Sequence, residues 1–560
     1  MGALRSRDRR CDPRGPELSA AARPHPTLPP RWGGKIARAA RWMPPAAALI
    51  YATVMLRRLP EIVDQLTWNA DYVSVMVMAQ SVGTSGKSGR AVIIQIGWYW
   101  FNLATEHLPF HRQVWEYAPF VLAMAALALI VWTAWRVAGR FAALLAASIG
   151  IAAAPIALAT QVAQSFHGTT WFGCALLAAY LCALLSSKMS RRALIAMSVL
   201  VALLAGFASA TDPLLVPAGD APFALTLIAL WRLRKDDLPR WKWLAGAGAA
   251  AGIGLTAGVM VLAGRVAGYG SSFPRGLTHF VTPDHVAGNA RQLVTGVFEV
   301  AGMPRGGSAL GVVLGLFLVA ALMIPMAWLI RSRGRDMDAA TLAVVGFWVA
   351  SILGVAAAFL FSDLPHDFLQ NSSRYLVSMF YAGAATLPIW AARAPLRLAL
   401  IAAPATLLIL ANAASVDSTA AAGRFSPSFS PSLSEPITFL EQHGLTRGYA
   451  GYYDAAPMSF KTDFALHVSP VTEVFTSPED VCGNSICPFA YNSLSDWYRG
   501  EAGPTFILVD PGIHQVDQPP PPGLDQVMTV YHVGRYEIYV YADDVAAHMG
   551  TPPRFTRSLF

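Results

Sequence analysis

Charge is what this sequence has least of. Only 14% of its 560 residues are Asp, Glu, Lys or Arg, against 54% hydrophobic, and the mean hydropathy is +0.43. That excludes a soluble globular protein, whose surface carries far more charge. Carboxylates are scarcer than cations, 34 Asp and Glu against 42 Lys and Arg, which leaves a net charge of +8. Such a balance suggests nucleic acid, but the cations stand at the ends of apolar runs, so no nucleic-acid partner is expected. Cysteine is sparse, five in all, and no second Cys or His pair stands at zinc spacing. Repeats of solenoid period are absent. The first apolar run, 43–56, has a long leader and no small-residue cleavage site, which excludes a cleaved signal peptide.

Long apolar runs are what the chain does have. Eleven stretches are candidate spans: 43–59, 115–135, 141–160, 170–187, 193–211, 219–232, 243–263, 309–330, 339–361, 375–391 and 396–414. About 18 apolar residues cross a bilayer core of ~30 Å, so the expected fold is an α-helical polytopic membrane protein with about eleven transmembrane helices. Residues 1–42, basic and Pro-rich, read as a disordered cytoplasmic tail. The run 43–59 reads as an uncleaved signal anchor, lengthened by snorkelling of Arg57 and Arg58. Cations collect in alternate connections, as at Arg136 and Arg140, Lys188 to Arg192, Arg232 to Lys242, Arg331 to Arg335, and Arg393 with Arg397. Cytoplasmic loops carry that excess. The N-terminus is therefore expected inside a plasma (inner) membrane, and everything after Ala414 outside.

Composition changes beyond Ser415. Residues 415–433, which include FSPSFSPSL, read as a Ser/Pro linker, and 434–560 as a small extracytoplasmic α/β domain. A helix is expected from Ser434 to Gly444, and strands at 447–453, 505–510, VMTVYHV and RYEIYVY, the last two joined by a tight turn near Gly534. Cys482 and Cys487 stand in CGNSIC within this domain, where a disulfide can form. Metal binding is the alternative.

Between the first two spans lies a polar external loop, 59–115, inside the membrane domain 43–414. Asp64, Asp71 and Glu106 sit there among Trp, Tyr and Met, as in segments lying at the membrane interface. Asp71 heads the amphipathic stretch YVSVMVMAQ, and reads either as a helix N-cap or as a general base. Asp64, seven residues earlier, could share its helix face. Farther along, Arg374 and Tyr375 follow Ser372 and Ser373 at the start of a span whose N-terminus faces out. Serine caps, free N–H groups and a guanidinium would make an anion site suited to a phosphate at headgroup depth. Snorkelling, or pairing with Asp367, explains Arg374 equally well. His167 in SFHGTTW reads as a ligand or as a satisfied histidine, and Asp212-Pro213 as a turn.

The stretches WNADYVSVMVMAQ with LPFHRQVWEYAPF, SSRYLVSMFYAGAATLPI and HGLTRGYAGYYDAAPMSFKTD resemble the C-type (GT-C) polytopic membrane glycosyltransferases. Bacterial relatives of protein O-mannosyltransferases and the lipid A aminoarabinose transferase are the members most alike. The resemblance implies transfer of a sugar from a polyprenyl-phosphate carrier to a glycan, lipid or protein acceptor on the outer face of the bilayer. It matches Asp71 to the catalytic acid of the first loop and Arg374 to the lipid-phosphate contact. Many members carry two adjacent acids in that loop, whereas Tyr72 follows Asp71 in this chain. His167, Glu106 and His111 are further candidates to orient either substrate. No metal-ligand set is legible, which leaves a divalent cation open and no cofactor assigned. The rival readings are a flippase of lipid-linked sugars, disfavoured by charges lying at span ends, and a non-catalytic envelope assembly protein.

Overall fold

The computed structural model describes residues 40–85, 89–93, 95–164, 167–186, 189–234, 239–270, 280–303, 307–332, 334–335, 337–363, 365, 372–425, 433–472, 487–489, 491–510 and 527–549. Residues 1–39 of the expected tail, Asp367 and Cys482 lie outside them, and so does the expected disulfide. Fifteen helices precede the C-terminal domain among the described residues. They are α1 (Met43–Leu66), α2 (Ala70–Ser85), α3 (Ile96–Thr105), α4 (His111–Ala138), α5 (Arg140–Ile151), α6 (Pro155–Val162), α7 (Gly168–Ser186), α8 (Arg191–Thr211), α9 (Ala221–Arg234), α10 (Arg240–Val266), α11 (Pro283–Ala301), α12 (Ala309–Ser332), α13 (Ala339–Phe361), α14 (Val377–Ala391) and α15 (Pro395–Ala421). A short parallel ladder joins β1 (Ala91–Val92) to β2 (Tyr269–Gly270).

Seven of these helices, α4, α7, α8, α10, α12, α13 and α15, are long and apolar enough to cross a membrane, and α5 with α6 makes an eighth if a bent pair counts as one span. Eleven spans were expected. The other three expected spans correspond to α1, α9 and α14, which form helices but fail by length or composition. Helix α9 has 14 residues and α14 has 15. Every residue of α14 except Trp390 is buried, because α5, α12 and α13 pack around it. A helix sheathed in protein need not match the thickness of the hydrocarbon layer.

The expected single span 141–160 is broken. Helices α5 and α6 meet at 91°, because Pro155 has no N–H to carry a helix through Ala152–Ala154. The turn frees carbonyls in an apolar interior, where unsatisfied backbone costs several kcal/mol per group. Two buried side chains from distant helices answer them: Asn412 Nδ2 donates to Ala152 O at 2.8 Å and Tyr51 Oη to Ala153 O at 2.7 Å.

Three further boundaries differ from expectation. Helix α1 runs through Pro60 to Leu66 instead of ending at 59, and Arg58 does not snorkel: it bonds Asp417 of α15 at 2.7 Å and Glu61 at 2.8 Å. Helix α15 continues to Ala421, so residues 415–421 of the expected linker are helical. Their Ala and Ser residues change polarity without breaking a helix. Finally, α2 is not amphipathic. Ala70 and Tyr72 through Ser81 are all buried, because the C-terminal domain covers the face that would otherwise meet water.

That domain holds α16 (Ser434–Gln442) and a six-stranded mixed sheet: β3 (Arg447–Gly451), β4 (His467–Thr472), β5 (Cys487–Pro488), β6 (Thr505–Val509), β7 (Val527–Val533) and β8 (Tyr536–Tyr541), in the order β5-β4-β3-β6-β8-β7. Helix α17 (Tyr452–Lys461) connects β3 to β4, which are parallel. Gly444 after α16 and Gly534 in the β7–β8 hairpin have φ of 64° and 59°, where the missing Cβ removes the strain. Helix α17 and strand β4 were not expected. Pro457 and Pro470 lie inside them, and each disrupts the local pattern by which such elements are recognised.

Candidate functional site

The C-terminal domain docks on the first polar connection through α17, which packs along α2. Lys461 Nζ reaches Asp64 Oδ1 at 2.6 Å and lies 4.7 Å from the Trp68 ring. Arg112 pairs with Asp463 at 3.4 Å and donates to Phe460 O at 2.8 Å, and Gln80 Nε2 donates to Asp463 Oδ1 at 2.9 Å. Farther along, Trp497 Nε1 donates to Ser81 Oγ at 2.8 Å, and Ser495 exchanges two bonds with the Arg90 backbone.

Asp71 lies within this seam. It does not cap α2, because Asn69 does: Asn69 Oδ1 accepts from Asp71 N at 2.9 Å. The Asp71 carboxylate Oδ1 accepts from Tyr452 Oη at 3.2 Å. Asp64 and Asp71 belong to different helices, separated by the turn at Thr67–Asn69, so the expected shared face does not exist.

A second cluster surrounds Arg374. Residues Ser372–Leu376 form a 3-10 turn and α14 begins only at Val377, so the two serines do not cap an α-helix as expected. Arg374 Nη2 donates to Tyr375 Oη at 3.1 Å. The Tyr375 ring centroid lies 4.9 Å from that of His167. His167, at φ 49°, places Nδ1 2.8 Å from Asp212 Oδ2, which also accepts from the Thr170 hydroxyl, while Asp212 Oδ1 accepts from Leu214 N at 3.0 Å. Burial pushes the Asp212 carboxyl up. The charge and hydrogen bond of His167, with those from Thr170 and Leu214, outweigh it and hold the group below the usual carboxylate range.

Three more buried donors lie on the elements around Arg374. Ser373 Oγ, Gln161 Nε2 and Trp171 Nε1 have no hydrogen-bond partner among the described residues. Ser373 belongs to the 3-10 turn, Gln161 to α6, which packs on that turn, and Trp171 to the first part of α7. Buried donors are almost always satisfied.

The clusters share one end of the helical bundle and are linked by contacts. Tyr72, next to Asp71, donates to Glu116 O at 2.7 Å. The preceding carbonyl, Trp115 O, accepts from Gln164 Nε2 at 3.0 Å, and Gln164 is also paired with Asn102. Three residues on stands His167. Arg374, Tyr375 and His167 are thus brought together, and Asp71 sits at the domain seam. His111 lies apart, its Nδ1 2.9 Å from Leu108 O and its ring 4.7 Å from that of Trp115. The Glu106 carboxyl lies against Gly83, where an added Cβ would meet its Cδ at 2.2 Å. Asp64 is tied to Lys461. Tyr452 and Asp212 were missed as site residues: nothing in a linear reading brings position 452 to 71, and Asp-Pro looks like a turn.

No protein-family model and no curated protein matches this chain. Solved structures do. ArnT from Cupriavidus metallidurans in the apo state superposes with a TM-score of 0.50 at 13% identity over 90% of this chain and 99% of that one. Its fold is that of the C-type membrane glycosyltransferases. The same ArnT bound to undecaprenyl phosphate matches at 12% identity and TM-score 0.49, over 89% of this chain and 98% of that one. The Archaeoglobus fulgidus oligosaccharyltransferase, in a complex with zinc and sulfate, matches at 10% identity and TM-score 0.45, over 76% of this chain. This chain spans 62% of that protein's length. A helical membrane part followed by a small sheet domain is the arrangement this C-type fold has in the present chain. Among its described residues no group of three or more His, Cys, Asp or Glu could hold a metal ion.

Proposed function

We propose that this protein is a membrane glycosyltransferase that moves a sugar from a polyprenyl-phosphate donor to an acceptor hydroxyl on the extracytoplasmic face, in cell-envelope glycan or glycolipid synthesis. The observation that carries the reading is Arg374, bonded to Tyr375 against His167 on a 3-10 turn that packs on the broken helix, with the buried donors Ser373, Gln161 and Trp171 on that turn and its neighbouring helices. In this reading the donor phosphate enters from the bilayer and takes bonds from them. Asp71 accepts the proton of the acceptor hydroxyl. The oxygen then attacks the anomeric carbon, and the carbon–oxygen bond to phosphate breaks, its electron pair leaving with the phosphate. Charge stabilisation at the phosphate contributes about 10²–10³-fold, and the base about 10²–10⁴-fold. Tyr375 and the His167–Asp212 pair hold the guanidinium in place.

The test compares envelope glycans and glycolipids, by mass spectrometry, in cells with the gene, without it, and complemented with Asp71→Asn or Arg374→Ala. A product should disappear on deletion and stay absent with either variant. Full product with Asp71→Asn removes the proposed base. Arg374→Ala should also lose stabilisation by added undecaprenyl phosphate in a thermal melt, and retained stabilisation puts the phosphate elsewhere.

A further inference from the structure

The sheet domain contributes directly to the proposed base. Strand β3 is hydrogen-bonded on both sides to parallel neighbours, β4 and β6. The chain leaves β3 toward β4 on one side, while β6 enters on the other. That makes the carboxyl end of β3 a topological switch point, where open α/β sheets leave a crevice. Tyr452, the first residue after β3, stands at that end and reaches α2 through Asp71 and Ser74.

The phenol of Tyr452 is fully committed. A tyrosine hydroxyl has one proton to give and two lone pairs to fill. The proton goes to Asp71 Oδ1 at 3.2 Å. Ser74 Oγ at 3.3 Å and Asn492 Nδ2 at 3.4 Å then act as donors to the phenol oxygen. The ring is wedged between Phe489 and Tyr453, with centroids 4.9 and 5.3 Å away. Burial, followed by the charge of Asp71, pushes the phenol far above its ordinary range, so it remains a donor at every working pH. With Asn69 holding the Asp71 backbone N–H, both ends of the residue are fixed, one by the helix cap and one by the other domain.

We infer that Tyr452 is a positioning residue for Asp71: its hydroxyl, bonded to Oδ1, fixes the orientation in which the carboxylate meets the acceptor hydroxyl. The inference rests on Asp71 being the base. It makes the sheet domain part of the reaction centre rather than a tethered appendage.

Tyr452→Phe keeps the ring and removes only the hydroxyl. Hydrogen bonds to charged groups are worth enough that product formation per molecule should fall about 10–100-fold. Stabilisation of the purified full-length protein by undecaprenyl phosphate should not change, because the phosphate lies in the other cluster. Lys461→Met, nine residues along α17 in the same seam, should leave product formation within about twofold. The inference falls if Tyr452→Phe retains full product, or if Lys461→Met loses as much. Should Tyr452→Phe fail to fold, Asn492→Leu keeps the donated bond and should retain product, and a complete loss there also overturns the idea. Full transfer by Asp71→Asn would instead refute the base itself, a distinguishable result.

Discussion

Asp212→Asn isolates the interaction that anchors the Arg374 cluster. Asp212 is 6% exposed and accepts three hydrogen bonds, from His167, Thr170 and Leu214. An asparagine of the same shape keeps the acceptor for Leu214, but must aim an NH₂ at either the imidazole or the hydroxyl, or lose one contact. Hydrogen bonds to a charged group contribute about 1.5–3 kcal/mol each. With one bond retained, we expect a loss of about 2–4 kcal/mol, read as a lowered melting temperature of the detergent-solubilised protein at pH 7. The pH dependence has a fixed sign. The folded carboxyl lies below its unfolded value, so its contribution is present above about pH 4. It is lost as pH falls through the folded value, because the unfolded chain binds the proton first. The gap between wild type and Asp212→Asn should therefore be full at pH 6–7 and narrow below about pH 4. Equal melting temperatures at pH 7, or a gap that widens in acid, would refute this account.

Tyr51→Phe removes the donor that answers Ala153 O at the bend between α5 and α6. It should cost about 1–3 kcal/mol with no shift in undecaprenyl-phosphate affinity, measured by thermal melts with and without that lipid. Asp64→Asn breaks the ion pair with Lys461. Because Asp64 is 67% exposed, the stability change should stay within about 1 kcal/mol, and the envelope product should persist; loss of product would give Asp64 a role in substrate binding instead.

Parts of this architecture are legible in one dimension. Runs such as 309–330 and 339–361 are read correctly as helices because hydropathy is a local sum, and both ends fall within a few residues of α12 and α13. Gly444 and Gly534 mark turns because positive φ is a local demand. The bend at 152–154 is not legible in this way. Averaging over a window hides one proline, and the side chains that make the bend tolerable, Tyr51 and Asn412, lie 102 and 260 residues away from the carbonyls they serve. The stretch YVSVMVMAQ was misread for a related reason. Its polar residues Ser74 and Gln80 look interfacial until a second domain covers them with Tyr452 and Asp463.

By itself, then, the amino-acid order determined that the chain lives in a membrane, where its helices run, which residue types gather between them, and that a mixed domain follows. Those are consequences of solvation and of backbone chemistry within a few neighbours. Only the tertiary structure decided that Asn69 takes over the cap and leaves the Asp71 carboxylate to Tyr452, that Asp212 is a buried partner and not a turn, and that Ser373 is buried beside Arg374. The Tyr452–Asp71 and His167–Asp212 contacts pair groups from remote parts of the chain, and the free energy of such a pair exists only once packing has removed the water between them.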